Sequence, residues 1–326
     1  MSDSGSTNGS SAQQVIFVHQ QMFQVQLNEG PLTKLVVSIV MSLLFIWVNC
    51  LLLFTLSRKL AFRETPRYVL FSHMLCNDSI QLLFTSTLYI LSMSYTQVHR
   101  GACYLLLLVS SSTFLNAPLN LALMSLERYA AICFPLHHGN VATPSSTAVG
   151  ILAIWILGAA NVVIDILYAL AKDGGDLGRR MFCTRERVFV ASWQADTFQG
   201  FNACYFVLVT LIIVFTYISV MVAARRSAGS DKESARKAHR TLLLHLVQLG
   251  LCLNSFLYGI IERALAMTSS SKVFMDLRYL NYLFVLLLPR CLSPVIYGLR
   301  DDAVRPLFLY YVRCGTQKVK KVKPSH

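Results

Sequence analysis

Charged side chains are scarce in this chain. Only 14% of its 326 residues are Asp, Glu, Lys or Arg, against about 25% in ordinary soluble domains. A water-soluble enzyme is therefore not expected. The signatures of common catalysis are also missing: there is no H-E-x-x-H, C-x-x-C or G-x-S-x-G and no Gly-rich phosphate loop,. The run Gly174-Gly175-Asp176-Leu177-Gly178 reads as a turn cluster, and the 8 histidines lack metal-ligand spacing. No enzyme activity, cofactor or metal is expected. Nine cysteines are too few for a disulfide scaffold of this length,. The first 31 residues contain no Lys or Arg and no apolar core, so they do not form a signal peptide,.

What is abundant is apolar sequence, 55% of the chain, gathered into blocks separated by short polar joints. The blocks cover about 32–56, 68–93, 102–134, 144–170, 197–224, 241–266 and 273–299. At about 1.5 Å per residue each can cross a hydrocarbon layer about 30 Å thick. The expected fold is an all-α membrane protein, a seven-transmembrane-helix bundle (32–299) behind an extracellular segment (1–31). A short amphipathic eighth helix and a basic tail follow (300–326). The net charge of +13 could suggest nucleic acid, but Lys and Arg lie in the joints, where they report topology instead. Eighteen of them fall on the side that holds the C-terminus and eight on the other. The N-terminus is thus expected outside and the C-terminus in the cytoplasm, at the plasma membrane. Asn8-Gly9-Ser10 is a glycosylation sequon in the outer segment,.

Cys50, Cys76, Cys133, Cys204, Cys252 and Cys291 lie inside apolar blocks and read as small buried hydrophobes,. The topology puts Cys103 and Cys183 together on the oxidising face, so a disulfide between them is expected, holding the loop 171–196 as a cover over the bundle.

The third block ends Met124-Ser125-Leu126-Glu127-Arg128-Tyr129-Ala130-Ala131-Ile132-Cys133-Phe134-Pro135-Leu136. This string resembles the M-A-Y-D-R-Y-V-A-I-C-x-P-L signature of odorant receptors in the rhodopsin-like seven-helix family, and its E-R-Y form resembles the fish-type branch. Asn49, Asp78, Trp155, Thr216-Tyr217, the run from Lys237 to His245, and Ser293-Pro294-Val295-Ile296-Tyr297 follow in the family order. Cys103 precedes Arg128 by the family spacing. Ser293 replaces an Asn, Arg290 replaces a second proline, Ala117 replaces an acid and Leu253 replaces an aromatic.

An ionisable group in hydrocarbon must be paired or hydrated, so Asp78 should face the bundle interior, with Asn49 and Ser293 as expected partners. Glu127 is expected to neutralise Arg128, with Tyr129 beside it. Tyr217, His245 and Tyr297 line the inner half, and Pro294 offers a kink. His137-His138 is expected to contact headgroups or a partner. In the outer half, Ser110, Ser111, Phe114 and Leu115 should face Phe256, Ile260, Leu283 and Leu286 across a cavity suited to a small organic ligand. Arg263, Arg278 and Asp165 are either charge-recognition groups or interfacial anchors. Ser227, Ser230 and Ser234 are either phosphorylation sites or a solvated loop.

The resemblance implies a receptor that binds a small-molecule odorant and activates a heterotrimeric stimulatory G protein, raising cyclic AMP. The alternatives are a non-olfactory receptor for a lipid or small acid, and a secondary transporter, although internal repeats and broken helices are not evident.

Overall fold

Proline and hydroxyl residues set where the helices begin. In the computed structural model, Pro66 opens Pro66–Met93 and Pro135 opens the short helix Pro135–Val141; at a first turn the missing N–H leaves no bond unmade. The residue before a proline avoids the helical region, and Phe134 accordingly ends the long helix Arg100–Cys133 with φ −133° and ψ 58°. Ahead of Pro144–Lys172 a reciprocal cap forms: Ser146 N–H donates to Thr143 Oγ1 (3.1 Å) and Thr143 N–H to Ser146 Oγ (3.0 Å),.

The structure describes residues 29–94, 96–172, 174–185, 188–227, 271–298 and 303–312, with 250, 257, 261, 264 and 301 singly. Helix one is Glu29–Ser57, helix two Pro66–Met93, helix three Arg100–Cys133, helix four Pro144–Lys172 and helix five Ser192–Ser227. Helix seven runs through Ser271–Asn281, the π-helical turn Tyr282–Leu287 and Leu288–Gly298. The sixth expected segment, 241–266, falls outside the described residues apart from positions 250, 257, 261 and 264.

Helix five starts before the expected edge at 197, which shortens the loop ahead of it. Its polar first turn carries no hydropathy signal, but Gln194 Oε1 accepts from the Val190 and Ala191 N–H groups (2.7 and 3.0 Å). That is the reach-back half of a capping box. The π turn in helix seven was also not expected; such turns break the regular bond ladder, often near functional groups.

Helix three is the hub, packed against helices two, four and five. Gly158 permits the closest of these approaches. A Cβ there would overlap the Asn116 side-chain amide and stand 3.0 Å from the Ser112 carbonyl oxygen.

The distribution of polarity is inverted relative to a soluble protein. Val40, Leu43 and Trp47 on helix one, Leu152 and Ile156 on helix four, and Leu211 and Phe215 on helix five are each more than half exposed. Asn49, Asn77, Asp78, Asn120 and Arg290 are buried. Such apolar flanks are stable only against lipid, as expected of a multi-pass membrane protein. Cys50, Cys76 and Cys204 are exposed, contrary to their reading as buried hydrophobes, whereas Cys291 is buried; in hydrocarbon the thiol is tolerated on either face.

At one end Gln97–His99 pairs antiparallel with Arg180–Phe182, with Val98 opposite Met181. This small ribbon lies in the connections between helices and leaves the all-α bundle unchanged. Gly174 and Gly175, with φ of +67° and +76°, make the turn foreseen in the Gly cluster, a conformation that side-chain-bearing residues avoid. At the other end the eighth helix, Arg305–Val312, is present as expected. Asp301 Oδ1 accepts from Ala303 and Val304 N–H (2.9 and 3.3 Å) ahead of it. Arg67 holds the same carboxylate at 2.9 Å. Val304 and Phe308 sink into the core beside Leu52 and Leu56.

Candidate functional site

The bundle encloses a buried ion pair. Arg290 Nη1 lies 3.2 Å from Asp78 Oδ1, and both side chains are almost wholly enclosed, 3% and 1% exposed. Arg290 Nη2 also donates to the Phe114 carbonyl oxygen at 3.3 Å, so one guanidinium ties helix seven to helices two and three. Arg290 was not among the partners expected for Asp78. Asn49 donates to Ser79 Oγ (3.1 Å), and the Ser293 side chain lies outside the described residues. A charge inside a membrane helix is itself a functional signal, and Arg290 carried that signal in the sequence.

Around this pair runs a hydrogen-bonded seam between helices two and three. Asn77 Nδ2 donates to the Thr113 carbonyl (2.9 Å), Thr113 Oγ1 donates to Gln81 Oε1 (2.5 Å), and Gln81 Nε2 donates to Thr85 Oγ1 (3.0 Å). Thr85 Oγ1 lies 3.5 Å from Ser110 Oγ. Each residue is a polar side chain that hydrocarbon would penalise if left alone. A second chain crosses from helix four to helix two and helix three. Trp155 Nε1–H donates to His73 Nε2 (3.0 Å), and His73 Nδ1 lies 3.0 Å from Asn120 Oδ1. The indole can only donate, so the imidazole carries its proton on Nδ1 and donates to Asn120. Asn120 Nδ2 continues to the Leu70 carbonyl at 3.2 Å.

At the disulfide end, Cys103 and Cys183 are bonded, with Cα atoms 5.3 Å apart, as expected. Two residues on, Arg185 turns into the bundle. Its guanidinium lies 3.5 Å from the centre of the Phe198 ring. Nη1 reaches Ser111 Oγ at 3.4 Å and Nη2 stands 3.8 Å from Asp165 Oδ2. Asp165, an expected charge-recognition group, is 2% exposed and accepts from Gln194 Nε2 at 3.2 Å. The sequence reasoning missed Arg185. The signal was its position two residues after the outer-loop cysteine, whose bond places it over the bundle.

The other expected outer-half residues separate. Ser110, Ser111 and Phe114 are half-buried on helix three, whereas Leu115 is buried in the main core with Leu119 and Ile154. Leu283, like Met41, Phe45 and Ile46 of helix one, packs against the buried cluster of Leu82, Tyr282, Leu287 and Cys291. Phe256, Ile260 and Arg263, like Asn8 and His245, lie outside the described residues. So do the side chains of Arg278, Leu286 and Tyr297. Two positions before Arg278 in sequence, the Asp276 carboxylate of helix seven pairs with Lys34 of helix one.

At the opposite end, Glu127 meets His138 rather than serving Arg128 alone: His138 Nε2 lies 3.2 Å from Glu127 Oε1. The short helix Pro135–Val141 folds back to bring this histidine to helix three, a contact within the chain that was not expected. Arg128 is half-buried. Tyr129 packs edge-on against Phe134 and Phe215, with ring centres 5.6 and 5.3 Å apart. Tyr217 is half-buried on helix five and Pro294 is buried inside helix seven.

Comparison with known proteins adds an independent finding. Residues 48–297 match the family model described as 7 transmembrane receptor (rhodopsin family). The chain is 32% identical over 283 residues to Odorant receptor 131-2 of Danio rerio, an alignment covering 86% of each protein. It is 26% identical over 258 residues to Olfactory receptor 2M3 of Homo sapiens, covering 76% of this chain and 79% of that one.

Proposed function

From the premise that this chain belongs to the rhodopsin family of seven-transmembrane receptors, on its olfactory-type branch, we propose that a small organic odorant binds at the disulfide end and that the Glu127–Arg128 end recruits a heterotrimeric stimulatory G protein. The N-terminus then lies outside the plasma membrane and the C-terminus in the cytoplasm, in keeping with the excess of basic residues on the C-terminal side.

The observation that carries the reading is the double role of one stretch of helix three. Ser111 meets Arg185 of the disulfide-end group, while three residues further along the helix the Phe114 carbonyl accepts from Arg290. A ligand that shifts this stretch changes the geometry of the bond that ties helix seven to helices two and three. The ligand contributes only its difference in affinity for the two bundle states. Its effect is transmitted if the Asp78–Arg290 pair has two arrangements of similar free energy. At the far end, Tyr129 packs against Phe215 of helix five, so movement of helix five against helix three alters the surroundings of Arg128.

The test is cyclic AMP in cells expressing the chain, challenged with a panel of water-soluble odorants beside an Arg128→Ala variant. A ligand-dependent rise in the wild type, abolished in Arg128→Ala at equal surface level, is the expected result. Ligand uptake without cyclic AMP would point to a transporter instead, and full signalling by Arg128→Ala would remove the assigned coupling role.

A further inference from the structure

Arg58, at the C-terminal end of helix one, has no part in the receptor reading. We propose that this end of helix one and helix eight together seat an anionic phospholipid of the adjoining leaflet, with its phosphate on Arg58 and an acyl chain along helix one. That leaflet is the inner one in the orientation proposed above.

One stripe of helix one faces outward along its length. Val36, Val40, Leu43, Trp47, Cys50 and Phe54 recur at three- and four-residue steps, and all are exposed,. A surface of this kind is stable against acyl chains. From Val36 to Ser57 the helix rises about 30 Å, the thickness of a hydrocarbon layer. Arg58, the next residue and itself exposed, therefore stands at headgroup depth, four positions beyond the last member of the stripe.

The guanidinium is held at that depth by aromatic rings. It lies over the Phe54 ring at 4.4 Å, and that ring meets Tyr311 of helix eight edge-on, with centres 5.2 Å apart. Tyr310 adjoins Tyr311 at 5.3 Å. Helix eight is fixed in turn by Val304 and Phe308 in the core. A fork with one face on a ring can still present its N–H edge to a phosphate, and tyrosines are amphipathic rings of the kind favoured at headgroup level.

Charge selects the headgroup. Arg58, Lys59 and Arg63 are exposed within six positions, and among the described residues no carboxylate forms an ion pair with any of them. Lys59 Nζ lies 5.6 Å from the centre of the buried Phe62 ring, which keeps it at this corner. Against an anion stand the exposed Glu64 and the partial negative charge of about half a unit at a helix C-terminus. The Asp301 carboxylate is matched by Arg67 at 2.9 Å. Three cations outweigh one carboxylate and half a charge, so an anionic headgroup gains more here than a zwitterionic one.

The experiment places the full-length protein in nanodiscs of phosphatidylcholine with a rising share of phosphatidylserine, one or the other lipid being brominated on an acyl chain. Bromine quenches tryptophan at contact, and Trp47 sits on the stripe about 10 Å from Phe54 along the helix,. Its emission is taken as the difference from Trp47→Phe. Brominated phosphatidylserine should quench Trp47 at an about tenfold lower mole fraction than brominated phosphatidylcholine. A basic residue near an anionic surface is worth about fivefold, so Arg58→Gln should lower that preference to about twofold. Arg58→Lys, which keeps the charge and loses the fork, should fall between, and decides the matter if Arg58→Gln is not recovered. Arg180→Gln makes the same change of charge on the ribbon at the disulfide end and should leave the preference intact, whereas salt at about 1 M should remove it. No odorant or G protein enters the measurement, so its failure leaves the receptor reading standing, and a failed cyclic AMP test leaves the seat standing. A wild type without the preference, a preference that survives in both Arg58 variants or in high salt, or an equal loss in Arg180→Gln would overturn the seat. Loss of the preference on adding soluble glycerophosphoserine would mean a site for free phosphate esters and overturn the lipid as its occupant.

Discussion

Replacing Arg290 by Met tests the buried pair directly. Methionine fills a similar elongated volume without charge, so packing changes little while Asp78 loses its partner 3.2 Å away and the Phe114 carbonyl loses a donor at 3.3 Å. With the two side chains 3% and 1% exposed, water cannot replace the lost contacts. Breaking such a pair typically costs about 3–5 kcal/mol. At roughly 2–3 °C per kcal/mol for a chain of this size, the apparent melting temperature of the purified receptor should fall by about 6–15 °C. Asp78→Asn should cost more, because a stranded carboxylate can take up a proton and a stranded guanidinium cannot. The double change Arg290→Met with Asp78→Asn removes both charges, and replacing a whole buried pair is often close to neutral. It should therefore melt within a few degrees of wild type, with a coupling of about 2 kcal/mol or more in the cycle. The assay is melting in one detergent at one scan rate, with basal cyclic AMP measured in parallel. An Arg290→Met protein that melts like wild type, or a double variant no better than the worse single, would show that the pair holds nothing.

Three further outcomes follow from the packing. Cys103→Ser and Cys183→Ser should each lower surface expression by a similar amount, and the double variant should be no worse than either, because all three lack the same bond,; additive losses would separate the two cysteines. Gly158→Ala places a methyl against the Asn116 amide and 3.0 Å from the Ser112 carbonyl; overpacking of this kind costs about 1–3 kcal/mol, so a lower melting temperature is expected, and an unchanged one would mean that helices three and four can part freely. Trp155→Phe removes the indole donor to His73 Nε2 and should lose about 1 kcal/mol; equal stability would mean that the histidine finds another donor.

Much of the architecture was legible in the linear chain because it depends on local properties. Hydropathy marked the membrane segments, since a run of apolar residues about 30 Å long is favoured in lipid whatever its neighbours do. Helix starts at Pro66, Pro135 and Pro144 are local too, because a proline constrains its own backbone, although the expected edges were drawn from hydropathy alone. Glu127-Arg128-Tyr129 and Ser293-Pro294 carried the family resemblance as strings. The Cys103–Cys183 bond was foreseen once topology put both residues on one face.

Partner choice was not local. Asp78 and Arg290 are separated by 212 positions, and hydropathy says that each must be paired without saying with what. Which groups meet depends on how each helix is rotated about its axis and on its depth, and the π turn Tyr282–Leu287 shifts both for helix seven. The same holds for His138, which the Pro135–Val141 helix brings back to Glu127. Arg185 is the clearest case: in the sequence it is one of several basic residues in a polar loop, and it is the fold that brings it against Ser111, Asp165 and the Phe198 ring. The sequence by itself determined the segments, their order and their family. The tertiary structure decided which charges meet, because that is set by helix rotation and close packing, neither of which has a signature in the residue string.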